Sequence, residues 1–105
     1  MKRRTAQPAR LPDDLGPAAD LLRALGNPIR LAIVDALGVE PRCVHELVAL
    51  LDASQPLVSQ HLRVLRGARL VSTERRGKEV VYTLADDHVS HIALDAIRHA
   101  QEDHR

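Results

Sequence analysis

Large aromatic residues are nearly missing: there is no tryptophan and no phenylalanine, and Tyr82 is the one tyrosine among 105 residues. One tyrosine cannot stack successive bases, so single-strand recognition through aromatic platforms is excluded. Cysteine is as scarce. Cys43 has no partner for an intrachain disulfide, which points to a reducing, cytoplasmic setting. No apolar run approaches the ~20 residues that span a bilayer. The basic start Met1-Lys2-Arg3-Arg4 lacks the apolar stretch of a secretory signal, so no membrane association is expected. Nucleophile elbow, phosphate loop and paired catalytic motifs are absent as well, and an enzyme is not expected. With 28% charged and 45% hydrophobic residues, the chain instead has the make-up of one globular domain.

A net charge of +1 conceals two opposed halves. Arg63, Arg66, Arg69, Arg75, Arg76 and Lys78 face only one acid, Glu74, in their stretch. The tail after residue 85 holds Asp86, Asp87, Asp95, Glu102 and Asp103 together with His88, His91, His99 and His104. The first half suits a polyanion and the second a cation.

Residues 1–12 are polar, basic and interrupted by proline, and read as a mobile arm before a single domain over 13–105. Leu15, Ala18, Ala19, Leu22 and Leu25 recur at helical spacing until Gly26. Asn27-Pro28 then caps and opens a second helix that Gly38 is expected to end. A third helix follows Pro41 with Val44, Leu47, Val48 and Leu51 on one face. Ser54 caps a fourth, in which Val58, Leu62 and Leu65 point inward. The period then changes. Residues 70–74 and 79–84 read as two strands joined by the basic tip Arg75-Arg76-Gly77-Lys78. Asp86 or Asp87 caps a last helix with Val89, Ile92, Ala93, Ala96, Ile97 and Ala100 on its apolar face.

Two short helices, a tight turn and a cationic hairpin describe a winged helix-turn-helix. The recognition helix would run from Ser54, with Gln55, Ser59, Gln60 and His61 as outward candidates and Arg63 beside them. Amides read adenine through N6 and N7, short hydroxyls serve bases or phosphates, and helix N-termini favour phosphate. Arg76 and Lys78 would reach the adjacent backbone or minor groove, where contacts position without specifying. Such units also serve as protein-interaction modules, and a basic hairpin can be simply solvated. The stems of Arg63, Arg66 and Arg69 can also cover apolar surface.

The terminal helix carries two ligand pairs. His88 and His99 are eleven residues apart, which returns to within about 20° of the same face but ~16 Å along the axis. One ion cannot bind both from a single straight helix. His99 and Glu102 are neighbours at i and i+3, and Asp86 lies beside His88. If two copies of this helix pair antiparallel about a twofold axis, Asp86 and His88 of one meet His99 and Glu102 of the other, giving two equivalent sites per dimer. Two imidazoles and two carboxylates suit Zn2+, with Co2+ as an in vitro substitute. A solvated surface helix would show the same residues, and His91, His104 and Asp87 are weaker candidates.

From Ala24 to Glu102 the chain resembles the ArsR/SmtB metal-sensing repressors. The resemblance rests on Leu25-Gly26-Asn27-Pro28-Ile29-Arg30-Leu31, on Ser59-Gln60-His61-Leu62-Arg63-Val64-Leu65, and on the D-x-H-x10-H-x2-E spacing of Asp86, His88, His99 and Glu102. It implies a mainly α fold with a small β-hairpin, in the order α-α-α-α-β-β-α, dimerising through the first and last helices. It further implies a metal-free dimer bound to double-stranded operator DNA with an imperfect inverted repeat, and Zn2+ that lowers this affinity. The histidine matching His99 would be linked to a main-chain carbonyl near Arg69. The family's second site, at the third helix, is expected to be incomplete. Cys43, His45 and Glu46 lie there, but residues 1–42 supply no cysteine or histidine. The alternatives are a metal-independent winged-helix regulator answering to redox state or a protein partner, and a small zinc hydrolase. A helix packed on its mate leaves the hydrolase no cleft.

Overall fold

The computed structural model describes residues 14–102; the expected basic arm, Asp103 and His104 lie outside them. The elements run α1 (Leu15–Leu25), α2 (Pro28–Val39), β1 (Arg42–Cys43), α3 (Val44–Leu51), α4 (Gln55–Gly67), β2 (Val71–Arg76), β3 (Glu79–Leu84) and α5 (Asp87–Glu102).

The helix starts follow local chemistry. The Asn27 side-chain oxygen accepts from the amides of Ile29 at 2.9 Å and Arg30 at 3.1 Å, while Pro28 occupies a first-turn position that needs no N–H. Ser54 Oγ accepts from Leu57 N at 3.3 Å, and Asp86 Oδ1 from Val89 N at 3.2 Å. The end of α2 departs from expectation: Gly38 lies inside the helix, which runs to Val39. A Cβ at Gly38 would stand 3.0 Å from Ser90 Oγ, so this glycine marks the close approach of α2 to α5 rather than a stop.

The link between α3 and α4 is a tight turn through Asp52, whose left-handed φ of 52° ends α3. Beyond α4 the chain turns through Arg69, at φ 63°. Arg69 N donates to Arg66 O and Leu70 N to Leu65 O, both at 3.0 Å, the paired bonds of a Schellman motif. Leu65 and Leu70 are both fully buried there, supplying the hydrophobic contact that accompanies this cap.

The expected two-stranded hairpin is a three-stranded antiparallel sheet in the order β1-β3-β2. Two residues, Arg42 and Cys43, make the extra strand by pairing with Tyr82 and Val81. A two-residue strand has no period to read, which is why it escapes sequence analysis. The wing turn is also tighter than expected. Strand β2 extends through Arg76, paired with Glu79, and only Gly77 and Lys78 form the tip. Gly77 takes φ 65° at the first central position, where two-residue hairpins of this class require glycine.

Ile33, Val34, Leu47, Val58, Leu62, Leu65 and Leu70 fill the core, closed by Val89 and Ala93 of α5. The layout is a winged helix-turn-helix: α3 and α4 form the pair, β2 and β3 the wing.

Candidate functional site

Helix α4 presents a polar outer surface. Gln55, Gln60 and Arg63 are exposed, Ser59 is half-buried, and Ser54 is exposed but engaged as the cap. His61 is placed differently from expectation. It is 8% exposed, and Arg30 Nη1 donates to its Nδ1 at 3.1 Å. Its position explains this: three residues after Val58 and four before Leu65, it shares the inner face of the helix. Burial, and then the adjacent Arg30 cation, push its pKa below the usual histidine range, keeping it neutral. Arg30 Nε donates to Ala24 O at 2.5 Å, so the guanidinium joins the end of α1, the start of α2 and the middle of α4. His61 thus belongs to the scaffold of the recognition helix and not to its outer face.

In the wing, Lys78 stands at the tip. Arg76 lies one step back on β2, with Nε 3.1 Å from Glu74 Oε2. Both are exposed. Arg69 occupies the cap after α4 and is exposed too.

At the start of α5, His88 Nδ1 lies 3.6 Å from Asp86 Oδ1, and both side chains are open to solvent. His99 and Glu102 share the final turn, exposed. The helix is 16 residues long, so within one chain the two pairs sit at opposite ends. Its apolar stripe is only half used: Val89 and Ala93 are buried, whereas Ile92 is 38% exposed and Ala96 is open. On α1, Leu22 is 56% exposed. Between them, Leu22, Leu25, Gly26, Leu31, Ile92, Ala93 and Ala96 line an apolar depression of about 170 Å³.

A second cluster lies elsewhere. Cys43 Sγ, His45 and Glu79 place one ligand atom each within 4.8 Å of one another. They line a hollow of about 330 Å³ with Val44, Gln55 and Val80. Cys43 is 5% exposed, and its thiol is pushed up chiefly by burial, with Glu46 and Glu79 adding negative potential. Glu46 accepts from Cys43 N at 2.9 Å, and that bond leads the causes that hold its carboxyl below the ordinary range. Sequence analysis finds Cys43, His45 and Glu46 but misses Glu79. The β1–β3 register explains its presence: Cys43 pairs with Val81, two residues along β3 from Glu79, and His45 follows Cys43 in the first turn of α3. The missing signal is β1 itself, without which no register can be written.

These features have counterparts. The family described as "Bacterial regulatory protein, arsR family" matches residues 27–73. The HTH-type transcriptional repressor SmtB of Mycobacterium tuberculosis is 57% identical over 89 residues, covering 85% of this chain and 66% of its own. The chain thus spans just under two-thirds of that relative's length. Among solved structures, NolR from Sinorhizobium fredii superposes with a TM-score of 0.76 at 37% identity, covering 90% of this chain and 95% of its own. A homodimeric winged helix-turn-helix DNA-binding domain from Mycobacterium bovis gives a TM-score of 0.77 at 26% identity over 90% of this chain and 92% of its own. With its helix-turn-helix, its wing and relatives of this closeness, the chain belongs to the ArsR family of bacterial transcriptional regulators.

Proposed function

We propose that this protein is a metal-responsive transcriptional repressor acting in the cytoplasm as a homodimer. The metal-free dimer binds double-stranded operator DNA with an imperfect inverted repeat, and this affinity falls when Zn2+ occupies two intersubunit sites. The observation that carries this reading is the division of ligands on α5: a carboxylate–imidazole pair at each end of one 16-residue helix. Each pair is half a tetrahedral site, and an antiparallel mate completes both at once. Asp86 and His88 of one protomer with His99 and Glu102 of the other supply two nitrogen and two oxygen donors. That set fits zinc, which would act there as a cross-link between subunits.

The exposed apolar residues of α1 and α5 support the same pairing, since burying Leu22 and Ile92 against a second copy removes them from water. The homodimeric domain from M. bovis has this fold. In such a dimer α4 would enter the major groove. Ser54, Gln55, Ser59, Gln60 and Arg63 would face bases and phosphates, with Arg76 and Lys78 of the wing against the backbone. Two recognition helices must stand about one DNA turn apart, ~34 Å, so a small rotation of one subunit against the other weakens both contacts. The chain from the last turn of α5 to the α4 cap at Arg69 is the proposed route by which the subunit setting reaches the recognition helix. A regulator sensing oxidants through Cys43 is disfavoured by the burial of that thiol.

The test is operator binding by the purified protein at fixed salt, with and without Zn2+, Co2+ and Ni2+. Zinc is expected to lower affinity ~5–150-fold, a coupling of ~1–3 kcal/mol. A His99→Gln variant should bind zinc more weakly and lose that coupling. Equal operator affinity with and without zinc in the wild type rejects the reading.

A further inference from the structure

We propose that Cys43, His45 and Glu79 form a second metal site, built within a single chain, for a borderline-soft divalent cation such as Zn2+ or Co2+. Geometry carries the case. A tetrahedral ion bound at ~2.3 Å to sulfur and ~2.0 Å to nitrogen holds those two donors about 3.5 Å apart. Cys43 Sγ lies 3.5 Å from His45 Nε2, and that nitrogen lies 3.9 Å from Glu79 Oε2. Sγ also lies 3.3 Å from Nδ1, so binding an ion takes a turn of the His45 ring and an approach of the Glu79 carboxylate by about 1 Å, and both side chains are exposed. The three donors surround a hollow with room for an ion and a water in the fourth position. Three protein ligands plus solvent make an open site, not a closed structural one.

The charge balance agrees. The thiol hydrogen-bonds to Glu46 at 3.3 Å, and Glu79 adds its negative potential. The sulfur therefore sits in the negative potential of two carboxylates, an arrangement that favours a dication. Binding is an exchange in which the ion takes the sulfur lone pair and the thiol proton leaves to solvent. No redox change is involved.

This donor set differs from the one the family resemblance implies at the third helix, where companion ligands come from the N-terminal arm. Here the third donor comes from the start of β3, beside the tip of the wing. An ion at this point would tie β1, α3 and β3 together beside Gln55, the first residue of α4.

The inference stands apart from the α5 sites, because those offer nitrogen and oxygen alone. Cobalt therefore separates the two: only a thiolate ligand adds a sulfur-to-cobalt charge-transfer band in the near ultraviolet. The full-length, freshly reduced protein is titrated with Co2+ under anaerobic conditions. The expected result is the sulfur band at saturation and two cobalt ions per chain. Cys43→Ser should abolish the band, and Glu79→Gln should weaken the ion responsible for it by at least about 10-fold. His99→Gln, which disables the α5 pair, should leave the band intact. Glu79 is exposed, so its replacement leaves the fold undisturbed, and circular dichroism of each variant checks this. A saturated wild type without a sulfur band, or a band indifferent to Glu79→Gln, overturns the proposal whether or not α5 binds metal.

Discussion

Arg30 donates to His61 across the junction of α2 and α4, with 3.1 Å between Nη1 and Nδ1, and the same guanidinium reaches back to Ala24 O on α1. The bond requires a neutral imidazole with its lone pair on Nδ1. The recognition helix is thus set on the body of the domain by a contact that a proton breaks.

The pH dependence of stability follows in sign. Burial lowers the folded pKa of His61 below its ordinary value of 6.5. As pH falls through that value the unfolded chain takes up the proton first. The contribution is therefore complete above the unfolded pKa and is lost as pH drops toward the folded one, at no more than about 1.4 kcal/mol per pH unit. Glutamine can accept from Arg30 without titrating. Urea unfolding at about pH 7.5 and about pH 5.5 should show a smaller drop for His61→Gln than for the wild type. Parallel losses in both proteins would remove His61 from the account.

The Schellman cap at Arg69 places a non-glycine residue at φ 63°. A left-handed conformation costs an L-residue ~1–2 kcal/mol, and glycine returns part of that through its greater freedom when unfolded. Arg69→Gly should raise stability by ~0.5–1 kcal/mol, read from the urea midpoint at unchanged slope. Because the main-chain carbonyl is retained, the zinc response of operator binding should persist. A fall in stability would mean that the arginine side chain matters more than its backbone.

If α1 and α5 bury their open apolar residues against a second copy, a charge there has to be desolvated on association. Ile92→Asp should weaken the dimer at least about 30-fold, from a penalty of ~2 kcal/mol or more. Ile92 is 38% exposed in the single chain, so its secondary structure should survive. Sedimentation equilibrium measures the first effect and circular dichroism the second. A dimer of wild-type strength would place the interface elsewhere.

Recognition helix and wing should respond differently to truncation. Lys78, at the exposed tip, is expected to pair with a phosphate. Lys78→Ala should weaken every duplex alike and reduce the slope of log affinity against log salt by about 0.9. Gln60→Ala should instead cost ~1–3 kcal/mol on the operator alone and relax preference at one base pair. Binding across a set of single-base operator variants at several salt concentrations tells the two apart. A His61→Ala protein, by contrast, should lose stability before it loses sequence preference.

Much of this molecule is written in short-range terms. The helical period of Leu22 and Leu25, the Asn27-Pro28 and Ser54 starts, and the alternation around Val81 each involve residues a few positions apart, whose energetics hardly depend on the rest of the chain. Those terms place the helix-turn-helix, the wing and the carboxylate–imidazole pairs at the two ends of α5. They also account for the errors. Gly38 looks like a stop because glycine is a poor helix former, yet in α2 it persists where Ser90 approaches. His61 looks polar and therefore outward, yet the helix phase that buries Val58 and Leu65 carries it inward, and Arg30 satisfies it there.

The sequence by itself determined the order of elements, the caps and the segregation of metal-type side chains to the ends of α5, because helix phase and capping are decided by near neighbours. Only the tertiary structure decided that His61 belongs to the scaffold and that Glu79 stands beside Cys43 and His45. Both outcomes depend on which distant segments meet and in which register, here the two-residue strand β1 laid against β3. That choice is made by burying the common core, and no local pattern encodes it.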